Sequence, residues 1–324
     1  MKADGTRKFG YGLDVIRAWC AFKDSDRNLQ VTQIEAVNKE VKLYRDVLKV
    51  LLHHLQGFDP SQAMLGPSLF KDLTFVDGMM MVKLLDFSNR VTEAFDKFDL
   101  AAVYNMTQRF LVDDVSEFYL DFTKYRRRRL ASDSPGTLGV LYHLANTLIV
   151  TTAPILCLTS QEAFEHLPLA DRPPTVFQLP WPQQTLRDAV DARFLAKFEQ
   201  RERFALLLDL RSRLRALYEE QGVLDAVSKR SYQRTALHFV VDAVDSEEAS
   251  LLETLEGEDL EDFFFGVHVV VETREQNARR KRPPIKSAKW SIGEKCKFTV
   301  RVYQNQAERE CRICKKVRHG DVCE

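Results

Sequence analysis

Leu111, Val115, Phe118, Phe122 and Tyr125 recur at intervals of four, three, four and three residues, which lines one face of a helix with apolar groups. Such a face requires a core, and the same period runs through most of the first half of the chain. It predicts a short amphipathic helix at "LDVIRAWCAF" and a helix of about six turns over "QIEAVNKEVKLYRDVLKVLLHHL" that stops at Gly57. Further helices are expected over "FVDGMMMVKLLDFSNRVTEAFDKF", "LAAVYNMTQRFLVDDVSEFYLDFTKYRRRR", "GTLGVLYHLANTLIV" and "APILCLTSQEAFEHL". Four or more long helices with short connections make a bundle.

The proline-rich "PLADRPPTVFQLPWP" closes that unit, because prolines are excluded from the interior of helices and of central strands. A long charged helix is expected from Gln183 to Glu219, followed by strand-like "ALHFVVD" and "FFFGVHVVVE" with an acidic helix between them. The linker "QNARRKRPPIKSAK" leads to a short last piece that holds four of the six cysteines. A piece that short needs a staple to fold. The expected fold is mainly α. Residues 1–35 form a junction helix and residues 36–182 a helical bundle. Residues 183–275 form a small α/β module, and residues 276–324 a basic, zinc-ribbon-like tail.

Charge sharpens the picture. The 324 residues carry 47 basic and 47 acidic side chains, so the whole chain gives no electrostatic argument for a nucleic-acid partner. Its distribution does, because from Arg274 to Glu324 there are 15 Lys and Arg against 6 Asp and Glu. A second basic block, Arg126 to Arg129, sits in the last turn of a predicted helix. Positive charge there complements the helix dipole by about 0.3–1 kcal/mol per residue, and guanidinium groups also fork onto phosphate oxygens. The uncharged run between Asp133 and Glu162 is too polar for a membrane span, with His143, Asn146, Thr147, Thr151, Thr152 and Pro154 inside it. "TTAP" reads as a break, with Thr152 able to cap a new helix. No targeting segment is visible at "MKADGTRKFGYG".

Two stretches carry a family likeness. "YGLDVIRAW" resembles the Gly-x-Asp-x-Leu-Arg-x-Trp helix that follows the catalytic domain in class I aminoacyl-tRNA synthetases for branched aliphatic amino acids, matched by Gly12, Asp14, Arg17 and Trp19. "SEFYLDFTKYR" resembles the Ser-x-Phe-Tyr-Leu-Asp-x-x-Lys-x-Arg signature of isoleucyl-tRNA synthetases, with Ser116, Phe118, Tyr119, Leu120, Asp121, Lys124 and Arg126 in place. "APILCLTSQEAF" and "TVFQLPWP" are similar to two further segments of that family, in the same order.

The resemblance implies an anticodon-binding helix bundle whose partner is tRNA(Ile), with a monomeric chain and no membrane. It implies tRNA contacts from Arg17, Trp19, Lys124, Arg126, Arg127, Arg128 and Arg129, and from the tail's Arg279, Arg280, Lys281, Arg282, Lys286, Lys289 and Trp290. The family's His-x-Gly-His and Lys-Met-Ser-Lys-Ser motifs, which handle ATP, do not occur in these residues. The chain therefore resembles the C-terminal part of such a ligase and is not expected to use ATP or to acylate tRNA alone. The cysteine-rich tail resembles the bacterial and organellar branch, which implies a mitochondrial or other organellar location for the full-length protein, otherwise a cytoplasmic one.

The family's zinc site needs two Cys-x-x-Cys pairs. Here Thr299 stands where the second cysteine should be, leaving Cys296, Cys311 and Cys314, with Cys323 or His319 as the fourth ligand. Cys323 is preferred because its thiolate matches the other three, and loss of the metal is the competing expectation. Two other functions remain open: a stand-alone, non-catalytic tRNA-binding factor, and a helical protein-interaction scaffold with a metal-binding tail.

Overall fold

The structure, a computed structural model, describes residues 11–22, 31–59, 73–130, 133–190, 192–198, 200–220, 235–243, 246–255, 258–279, 283–293 and 296–304. They divide into two compact units. One takes in the described residues of Met1–Leu120 and Ser134–Glu199, the other those of Asp121–Asp133 and Gln200–Glu324.

The first unit is helical. Its elements are α1 (Leu13–Phe22), α2 (Val31–His54), α3 (Phe75–Asp96), α4 (Leu100–Arg109) and a π-helical stretch, Phe110–Leu120. After α5 (Asp121–Leu130), which belongs to the second unit, come α6 (Pro135–Thr152), α7 (Cys157–Phe164), a 3-10 turn at Val176–Gln178, α8 (Pro182–Ala189) and α9 (Ala192–Lys197). Local chemistry sets the ends of these helices. The Thr74 hydroxyl accepts the Asp77 N–H (3.1 Å) while the Asp77 carboxylate accepts the Thr74 N–H (3.2 Å), a reciprocal cap on α3. Ser134 caps α6 through the Thr137 N–H (3.2 Å), with Pro135 preset for the first turn. The core is built from Tyr44, Leu51, Met80, Leu84, Leu111, Leu144 and Leu148, all buried. Gly78 is required by packing: a Cβ there would lie 2.2 Å from the Phe198 ring.

The helix expected from residue 100 to residue 129 is present but not uniform. From Phe110 to Leu120 it widens into π-helix, so Phe118 and Tyr119, adjacent in sequence, are both buried. Its last stretch, α5, lies in the second unit, so the five-residue apolar face feeds two cores: Leu111, Val115 and Phe118 the first, Phe122 and Tyr125 the second. Thr152 does not cap α7; its hydroxyl donates back to the Leu148 carbonyl at 2.7 Å. That back-bond keeps it within α6.

In the second unit α5 is joined by α10 (Arg201–Glu219), β1 (Thr235–Val241), α11 (Glu247–Glu253), α12 (Glu258–Phe263), β2 (His268–Thr273), α13 (Arg274–Ala278), β3 (Lys286–Ile292) and β4 (Cys296–Gln304). The four strands form one sheet in the order β2-β1-β4-β3, with β1 parallel to β2 and antiparallel to β4, and β3 antiparallel to β4. Leu237, Phe239, Phe298, Val300 and Val302 are buried on one face, where the Phe239 and Phe264 rings lie 5.1 Å apart. Gly266 holds φ +66°, and a Cβ there would come within 2.8 Å of the Tyr125 ring.

Three expectations about layout differ from what is observed. The single helix expected over residues 183–219 is three, and the division between units falls at residues 199 and 200 rather than at 182 and 183. The expected boundary at residues 275 and 276 runs through the sheet: β3 and β4 are strands of it, and the apolar side chains of β4 complete the buried face. A segment that buries Ile292, Phe298, Val300 and Val302 against a sheet gains a core there. Among the described residues no helix is long and apolar enough to cross a membrane.

Candidate nucleic-acid interface

The charged residues of the α1 motif are engaged inside the first unit. Asp14 is buried, and its carboxylate accepts the N–H groups of Leu158 (3.3 Å) and Thr159 (2.6 Å), capping α7 from another helix. Leu156, the residue before α7, supplies no side-chain cap of its own. Arg17 donates from Nε to the Ile155 carbonyl (3.0 Å) and from Nη2 to the Pro154 carbonyl (2.8 Å), satisfying acceptors just beyond the end of α6. Its side chain is otherwise exposed. Trp19 is half-buried, with its indole N–H enclosed and unpaired among the described atoms.

The second motif is equally structural. The Tyr119 hydroxyl, fully buried, donates to the Asp77 carboxylate at 2.6 Å. In the other unit Asp121 collects cations: Arg211 at 2.7 Å, Arg215 at 3.5 Å and Lys124 at 3.7 Å. Arg211 is buried with its guanidinium 4.3 Å from the Phe265 ring centre and 5.5 Å from that of Phe263, and it also donates to the Phe263 carbonyl. Burial pushes the Arg211 pKa down to about 10, with the Asp121 charge opposing the shift.

The arginine block divides. Arg129 places Nε (2.9 Å) and Nη2 (2.7 Å) on Asp262, with Asp259 at 3.5 Å. Burial pushes the Asp262 carboxyl above its usual range, and Arg129 opposes the shift. Arg127 grips Asp133 with two bonds, at 3.0 and 3.1 Å. Arg126 lies 4.0 Å from Asp259 and is mostly enclosed. Lys124 and Arg128 face solvent, stacked 5.1 and 5.9 Å from the Tyr125 ring centre.

The basic residues toward the C-terminus do not share one surface. Arg279 is exposed just beyond α13. Side chains alternate along a strand, so Lys289 stands on one sheet face while Lys286 and Trp290 stand on the other. Lys289 is exposed, Trp290 is half-buried, and Lys286 pairs with Glu220. Arg280, Lys281 and Arg282 lie outside the described residues.

Cys296 is buried at the first position of β4, opposite Ile292. A shielded thiol at a hairpin end suits a structural zinc ligand, and the other expected ligands, Cys311, Cys314, Cys323 and His319, lie outside the described residues. Among the described residues no group of three or more His, Cys, Asp or Glu could hold a metal ion.

Residues 77–231 match the family described as the anticodon-binding domain of tRNA ligase. The chain is 28% identical over 251 residues to the isoleucine–tRNA ligase of Symbiobacterium thermophilum, which covers 75% of this chain and 25% of that protein. It is 26% identical over 222 residues to that of Thermotoga neapolitana (67% and 23%), and 32% identical over 163 residues to that of Exiguobacterium sibiricum (49% and 18%). This chain is similar to isoleucine–tRNA ligases, and its residues 77–231 to the anticodon-binding domain of tRNA ligases. It spans about a quarter of the length of the first two of these ligases. The match to the anticodon-binding domain begins at Asp77, the buried carboxylate that Tyr119 and Thr74 hold, and takes in Asp121 and Arg211. Sequence reasoning assigned no role to Asp77, Arg211, Asp259 or Asp262. The one available signal was the four-residue spacing of Arg211 and Arg215, which puts both on one side of α10.

Proposed function

We propose that this chain binds the anticodon arm of tRNA, and that tRNA(Ile) is the species it serves within an isoleucine–tRNA ligase activity. The observation that carries the reading is the match of residues 77–231 to the anticodon-binding domain, supported by relatives that are isoleucine–tRNA ligases. Contacts to phosphate come from cations that the fold leaves in solvent, foremost Lys124, Arg128, Arg279 and Lys289. They position the backbone without reading bases. Arg126, Arg127 and Arg129 act mainly inside the protein, as partners of Asp259, Asp133 and Asp262.

Binding of a tRNA(Ile) transcript, followed by fluorescence anisotropy across a range of salt, tests the reading. Affinity should fall steeply with salt, and the Lys124→Gln/Arg128→Gln variant should reduce the log–log slope by roughly 1.4–1.8 while leaving stability within about 0.5 kcal/mol. Arg129→Gln should instead cost about 3 kcal/mol of stability, because it strands the Asp262 carboxylate, whose side chain is 4% exposed. No measurable tRNA binding at low salt would remove the proposal.

Zinc belongs to the proposal as a structural ion held by Cys296, Cys311, Cys314 and Cys323, a four-thiolate set of the kind that closed zinc sites use. When bound it would tie the last cysteines to β4. Elemental analysis of the purified chain should find about one equivalent of zinc, reduced by Cys314→Ser. Less than half an equivalent would discard the metal and leave the tRNA reading standing.

A further inference from the structure

The β2-β1-β4-β3 sheet has a second face, opposite its buried aromatic side, on which Lys289 is the residue already assigned to tRNA. On β3 and β4 it carries Ser287, Lys289, Ser291, Lys297, Thr299 and Arg301. All six are exposed or half-exposed, whereas Ile292, Cys296, Phe298, Val300 and Val302 on the other face are buried. Neither strand contains an acidic residue. Glu248 accepts the Lys297 backbone N–H at 2.8 Å, and Glu272 of β2, on the same face, bonds His238 at 3.1 Å.

Arg301 is the unusual member. It lies directly across from Ser287 on β3 and from His238 on β1, and Lys289 is its diagonal neighbour. Residues so placed are about 7–8 Å apart. Its Nε is enclosed and meets no hydrogen-bond partner, and no described acid pairs with it. Arg126 Nε is likewise enclosed without a hydrogen bond but has Asp259 at 4.0 Å, and Arg129 and Arg211 hold carboxylates. A half-exposed arginine with an unbonded Nε, beside Lys289 and the hydroxyls of Ser287 and Thr299, offers charged donors to an external acceptor.

We propose that this open sheet face binds the sugar-phosphate backbone of RNA, with Arg301 and Lys289 on phosphates and Ser287, Ser291 and Thr299 on phosphate or sugar oxygens. The proposal rests on the tRNA reading for its partner and goes beyond it in assigning the face. Charge selects the occupant: Lys289 and Arg301 meet no acid on β3 or β4, and Glu272, which β2 adds to the same face, is held by His238 and Asn277, so the two cations fit a polyanion. Among the described residues the face offers no exposed aromatic ring, because Trp290 stands on the other side and Tyr303 is buried with its ring 4.6 Å from that of His238. Base stacking is therefore not the mode, and the face takes paired stem as readily as loop.

The test measures binding of the full chain to a tRNA(Ile) transcript and to a poly(A)·poly(U) duplex across salt. Lys289→Gln/Arg301→Gln should weaken both by roughly tenfold at 0.1 M salt and reduce each slope by roughly 1.4–1.8. Lys289→Gln alone, on an exposed side chain, should give about half that slope change whether or not the double variant folds fully. Lys286→Gln, on the other face, should change neither slope. If wild type binds tRNA and the sheet variants bind it with unchanged slope, the face assignment is overturned while the tRNA reading stands. If wild type binds only the duplex and the variants weaken that, the face assignment stands and the tRNA reading falls. Binding to neither overturns both.

Discussion

An Asp121→Ala variant should lose about 3–5 kcal/mol of stability, read from the midpoint of urea unfolding followed by circular dichroism. The loss comes from the partner left behind. Arg211 has a 5% exposed side chain, and Asp121 is the carboxylate that answers its charge. Without it an enclosed guanidinium, beside two phenylalanine rings and the Phe263 carbonyl, loses the carboxylate that balances its charge. Arg215→Ala, which removes a 30% exposed cation at 3.5 Å from the same carboxylate, should cost about 1 kcal/mol. Adding Arg211→Met to Asp121→Ala should recover much of the loss, since the pair is then replaced by apolar packing. A loss below about 1 kcal/mol for Asp121→Ala would mean that Arg211 is not held as described.

Asp77→Ala should cost about 3 kcal/mol in the first unit. The Tyr119 hydroxyl, 0% exposed, would lose the acceptor it meets at 2.6 Å, and an orphaned buried hydroxyl costs about 1–3 kcal/mol. The α3 cap would lose the half in which Asp77 accepts the Thr74 N–H, and Thr137 would lose a bond at 3.4 Å. Asp77→Asn keeps one acceptor oxygen and should retain more than half of the lost stability. Thermal unfolding of both variants checks the order, and equal losses would show that charge rather than acceptor geometry matters at this site.

These two aspartates mark the limit of what the sequence discloses. Helices were legible because apolar residues recur at the helical period, and α1, α2, α3, α6 and α7 lie where that period puts them. The breaks within residues 183–219 were not legible, because "DAVDARFL" contains neither glycine nor proline to interrupt the pattern. β3 was hidden for a different reason: an edge strand with one open face reads as polar, and "KSAKWSI" follows a basic, proline-containing run that looks like a linker.

The candidate site was half legible. The pattern places basic groups on α5, but a helix-end arginine reads the same whether its partner is a phosphate or an aspartate more than 130 positions away, as Asp262 is for Arg129. Asp14 and Arg17 were visible as motif residues, while their tasks at the ends of α7 and α6 depend on contacts across more than 130 residues. Arg301 escaped notice because nothing local distinguishes an unpaired strand arginine from a paired one.

Chemical footprinting of a tRNA(Ile) transcript bound to this chain tests the central claim most directly. The account predicts protection of the backbone along the anticodon stem and loop, with the acceptor end as reactive as in free tRNA. Protection confined to the acceptor end, or an unchanged cleavage pattern at saturating protein, would contradict it.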